Sequence, residues 1–300
     1  MSKLLLSFLI AASAAVPATA DEAPAPNQGD DIIVQGTVTS RKEVNGFVEE
    51  LTPAPIGGQL GRFLAPVCPR VIGLPNGQGA LVEARMLRVA AASGVPVAEQ
   101  PCVTNIYVLV GGDKGETIEG LRRQFPKLVA GVPGSVLKRL AEAEGPVAAW
   151  QIVGEIGSDG MPLHWVRTST ESEPVQVSNT IGWASRITRL TRPQFVGSIL
   201  VVEAKAIDGV DTRQLADYAV MRTMAPTDTT HRTALPARSI IQLFDPGASP
   251  ETAPMTVTHW DFAFLKALYA SSNDVAASQQ RGDIGRKMAK ELATVPPEER

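Results

Sequence analysis

Histidine, cysteine and aromatic residues are all scarce in this chain, and no stretch of it is densely basic. Only three histidines occur, His164, His231 and His259, and no two lie within a helical turn of each other. The sequence therefore offers no local zinc pair. Aromatics make up 5% of the residues, which argues against a sugar-stacking or base-stacking surface. No tract of five or more Lys/Arg exists and the net charge is −3, so nucleic-acid binding through a basic face is disfavoured. Beyond the first 20 residues no segment runs 18 residues without a charge, so no transmembrane span is expected in the mature chain.

Catalytic motifs are missing as well. No G-x-S-x-G is present, and Gly131–Ser135 and Gly197-Ser198 lack the flanking glycines of a nucleophile elbow. Gly111-Gly112-Asp113-Lys114-Gly115 is a turn and not a phosphate loop, because the G-x-x-x-x-G-K-[ST] spacing is absent. Gly73–Gly79 reads as a turn-rich loop, since no acidic residue closes a βαβ unit at the distance a dinucleotide fingerprint needs. No catalytic residue, metal ligand or cofactor is assigned. Arg281-Gly282-Asp283 matches an adhesion tripeptide, but it stands at a helix start and is read as chance.

What is present begins with an address. Lys3 precedes an apolar run from Leu4 to Val16 that ends in Ala18-Thr19-Ala20, a small-x-small cleavage site. The run is shorter than the about 20 residues of a spanning helix. Residues 1–20 are expected to be a signal peptide, and 21–30, acidic and Pro-rich, a flexible leader. No Cys lies at the cleavage site, which disfavours a lipid anchor. The expected location is the periplasm or beyond. Cys68 and Cys102 form an even pair, which in an oxidising compartment points to a disulfide. Two free thiols or a metal role is the alternative, disfavoured by the absence of CxxC and the few histidines.

Residues 31–295 are expected to form a single α+β domain with a mixed sheet flanked by helices. Asp31–Val38 has strand character. Spacings of three and four among Leu81, Val82, Arg85, Met86 and Val89 predict a helix from Gly79 to Ser93. Cys102–Val110 is a nearly continuous apolar run, read as a strand buried on both faces. Glu116–Phe125 and Ser135–Glu144 follow as helices, Val147–Val153 as a strand before the turn Gly157–Gly160, and Thr168–Thr180 as an exposed loop. Phe195–Ala204 is the second strong strand. Asp211-x-x-Gln214 has capping-box spacing before a helix with Leu215, Tyr218, Ala219 and Met221 on its apolar face. Thr258-x-x-Asp261 repeats that signal before Phe262, Leu265, Leu268 and Tyr269, and Asp283–Leu292 is a terminal helix.

The element order over residues 67–293, the helix carrying Gln214-Leu215-Ala216-Asp217-Tyr218, and the tail Ser239-Ile-Ile-Gln-Leu-Phe-Asp245 followed by Trp260-Asp261 and Leu265 to Leu268-Tyr269 resemble secreted proteobacterial families distantly similar to zincin metallopeptidases. In those, the corresponding helix carries His-Glu-x-x-His. Here Gln214 stands for the first His, Leu215 for the Glu and Tyr218 for the second His. Leu cannot act as a general base and Gln is a poor zinc ligand, so no family catalytic residue carries over. The resemblance implies a zincin-like scaffold without its metal, with Gln214, Asp217 and Tyr218 facing the former cleft as candidate pocket residues. A second likeness joins Asp31-Ile-Ile-Val-Gln-Gly36 to the N-terminal segment of TonB-dependent receptors; an ordinary edge strand is the plainer reading.

Three functions remain. The favoured one is an exported, non-catalytic binding or accessory protein. The second is a hydrolase whose groups, for example Glu203, Asp217 and His231, converge only in three dimensions. The third is an assembly partner that pairs Asp31–Val38 with another protein by strand addition.

Overall fold

Alternating strands here do not share their side chains equally between two faces. In β3 (Ile106–Gly111), Ile106, Val108 and Val110 are buried while Tyr107 and Leu109 are only partly so. The first set meets a thick helical layer and the second a thin one. The computed structural model describes residues 40–52, 58–75, 77–166, 175–177, 189–227, 235 and 237–295. The expected signal peptide, leader and Asp31–Val38 strand, together with His231 and most of Thr168–Thr180, lie outside the described residues.

The main sheet has β2 (Pro69–Ile72) beside β3, β3 beside β7 (Thr191–Glu203), and β4 (Val147–Gly157) along the other side of β7. The first three run parallel and β4 is antiparallel. The short β1 (Arg62–Phe63) pairs in parallel with Gln194 and Phe195 of β7, on the side that β3 takes further along. A separate hairpin joins β5 (His164–Val166) to β6 (Val175–Val177). The expected mixed sheet flanked by helices is therefore the architecture.

The thick layer holds α1 (Arg41–Leu51), α2 (Gln78–Ala92), α5 (Thr212–Met224), α6 (His259–Ala270) and α7 (Ala277–Leu292). The thin layer holds α3 (Lys114–Gln124) and α4 (Gly134–Glu142), packed on Trp150, Ile199 and Val201. A register irregularity at Ile152/Val153 leaves Val196 unpaired with β4. One extra residue reverses the alternation. That reversal puts Phe195, together with Leu200 and Val202, on the thick-layer side, where Phe195 meets Phe63 edge-on at 5.7 Å.

Local chemistry sets several boundaries. Asp211 and Thr258 cap α5 and α6 with the capping boxes their spacing predicts. The carboxylate of Asp261, fully buried, also accepts from the Ile240 N–H at 2.8 Å and from the Ser239 hydroxyl, fastening the tail motif to α6. The disulfide between Cys68 and Cys102 is present and ties the start of β2 to the chain entering β3. That chain is not yet strand: β3 begins at Ile106, and Val103 is 90% exposed. At the far end of β2, Gly73 has φ +97, and a Cβ there would lie 1.8 Å from the Val110 carbonyl oxygen. Only glycine lets β2 turn away so close to β3.

Two helices depart from the sequence expectation. α1 lies ahead of the first helix that the spacing predicts; it opens with a Ser40/Glu43 capping box and buries Val44, Phe47, Val48 and Leu51. α5 is not amphipathic: every residue from Gln214 to Met224 is buried. It runs through the thick layer between α2, the sheet and the tail.

Candidate functional site

The three residues singled out on α5 are brought together, but inside the protein. Gln214, Asp217 and Tyr218 are each at most 2% exposed. Gln214 accepts from the Asp211 N–H at 3.1 Å and donates to the carbonyls of Pro250 and Pro254 at 2.9 and 3.2 Å. Tyr218 meets Phe244 edge-on with centroids 4.8 Å apart. The segment from Pro250 to Val257 thus lies over the first half of α5, where the zincin likeness would set a cleft.

Asp217 is the most heavily bonded of the three. Arg85 holds it in a fork, Nε to Oδ1 at 2.7 Å and Nη2 to Oδ2 at 2.8 Å. The Thr256 hydroxyl and the Val257 N–H donate to the same Oδ2 at 2.6 and 2.9 Å. Three of these four donors converge on Oδ2 and one on Oδ1, so both oxygens are bonded within the protein. The side chain has no exposure, and its four hydrogen bonds fasten α2 and the tail to α5. The Asp217 field and hydrogen bonds hold the Arg85 guanidinium above its ordinary value, with burial acting against them. The sequence placed Arg85 on an apolar helix face; an arginine there was the signal of a buried acidic partner.

A second place for a site follows from topology. The helix after β3, α3, lies on the thin-layer face, and the helix after β7, α5, lies on the thick-layer face. Where adjacent parallel strands send their chains to opposite faces, a crevice opens at their carboxyl ends, and open α/β sheets bind ligands there. Here that point lies between Gly111 and Glu203, which pair across the two strands. It carries Asp113, Lys114, Glu203 and Lys205.

The chain's own groups close it. The Glu203 carboxylate accepts the Lys114 N–H at 3.2 Å, the first free N–H of α3, and so takes the anion position of that helix N-terminus. Lys205 Nζ pairs with the other carboxylate oxygen at 3.0 Å. Asp113 caps α3 by accepting from the Glu116 N–H at 2.9 Å. Lys114 turns its ammonium inward to the carbonyls of Ala143 and Gly145, and burial lowers it below its ordinary value. Burial pushes the Glu203 carboxyl up, but Lys205 and the Lys114 N–H outweigh it and hold the group below the usual range.

Glu203 and Asp217, the acidic members of the hydrolase alternative, thus sit in separate networks that share no partner. His164 is exposed on β5 and His259 is exposed at the first position of α6. Arg281 of the adhesion-like tripeptide lies within α7 and donates to the Thr52 carbonyl and hydroxyl at 2.6 and 2.9 Å, closing the end of α1. Among the described residues no three of His, Cys, Asp and Glu gather as a metal-ligand set, and no helix is long and apolar enough to cross a membrane. Compared with known proteins, the chain matches no family model, no curated protein and no solved structure.

Proposed function

We propose that this is an exported protein of the periplasm or extracellular space that binds a ligand or partner without catalysing a reaction, on a zincin-like scaffold that has lost its metal. The observation that carries the reading is the state of Asp217. A carboxylate available for acid–base work keeps an acceptor position facing a cleft. This one is fully buried and accepts four hydrogen bonds, all of which fasten α2 and the Pro250–Val257 segment to α5. Gln214 and Tyr218 on the same helix are engaged in the same fastening.

The experiment is to purify the exported chain, determine its metal content by elemental analysis, and assay it against peptide, ester and glycoside substrates. The expected result is substoichiometric zinc and no turnover above background, in wild type and in Asp217→Asn alike. Turnover that disappears in a folded Asp217→Asn protein, or stoichiometric zinc, would overturn the reading.

A further inference from the structure

We draw no further inference here: the strongest candidate, the exposed corner that follows α3, where Phe125 is 56% exposed and stands between Arg123 and Lys127 in the chain, carries nothing, because Glu119 already pairs with Arg122 and Arg123 and nothing in the structure shows what covers the apolar side chain.

Discussion

Replacing Asp217 by Asn keeps the size and shape of the side chain and removes its charge. One carboxylate oxygen becomes an NH2 group that must face donors: the Arg85 fork, the Thr256 hydroxyl or the Val257 N–H. Breaking a buried ion pair by removing one partner costs about 3–5 kcal/mol. The Asp217 side chain is 0% exposed, but that of Arg85 is 27% exposed, so water can partly resolvate the abandoned guanidinium. The low end of the range therefore applies, about 3 kcal/mol. For a domain of this size each kcal/mol moves the midpoint by about 2–4 °C, which gives a fall of roughly 6–12 °C. Urea unfolding followed by the fluorescence of Trp150 and Trp260, buried in the thin and thick layers, measures the loss directly. A cycle with Arg85→Met should return a coupling of about 2 kcal/mol, since directly bonded pairs couple by about 0.5–3 kcal/mol. If Asp217→Asn instead lies within about 0.5 kcal/mol of wild type, as an ordinary surface change would, or is more stable, the carboxylate is not a fastening group. Asp217 would then be free for a role in catalysis at α5.

Removing the disulfide with Cys68→Ala/Cys102→Ala frees a loop of 34 residues' separation, and on the chain-entropy model should cost roughly 3–4 kcal/mol; a reductant should lower the wild-type midpoint by a similar amount and leave the double variant unmoved. Gly73→Ala should cost at least about 2 kcal/mol, because the positive φ alone is strained for alanine and its Cβ would meet the Val110 carbonyl; hydrogen exchange should show the loss first in β2 and α2. The Glu203 carboxyl is held below its ordinary value in the folded protein. Its contribution is therefore complete above the ordinary carboxylate range and is lost as the pH falls through the lower folded value. Stability measured from about pH 6 down to pH 3 should accordingly decline less steeply in Glu203→Gln than in wild type.

The fold was legible wherever local rules and burial agree. Asp211-x-x-Gln214 and Thr258-x-x-Asp261 mark helix starts because a cap needs only four residues of chain. Ser40-x-x-Glu43 is the same signal, and Val44, Phe47, Val48 and Leu51 follow it at helical spacing. The apolar run before β3 overran the strand by four residues, since Cys102 and Val103 are apolar for reasons other than pairing: one is held by the disulfide and the other is exposed. At α5 the failure has a different cause. Polar residues on a helix read as its solvent face, yet Gln214, Asp217 and Arg222 are buried. Asp217 is matched by Arg85, 132 positions away, and Gln214 by Pro250, 36 positions away. No window of sequence contains those partners, so no periodicity reveals them.

Two places are filled by the chain itself: the carboxyl ends of β3 and β7, where open α/β sheets bind ligands, and the face of α5 to which the zincin resemblance would assign a cleft. At α5 the filling is an ion pair with a segment of the tail laid across it, and at the end of β7 it is a carboxylate set on a helix N-terminus. The two share a logic: each polar group that could meet a substrate meets a fixed internal partner. Charges arranged this way fix how layers and loops lie against one another, which is the role best attested for buried ionic groups when they add little net stability.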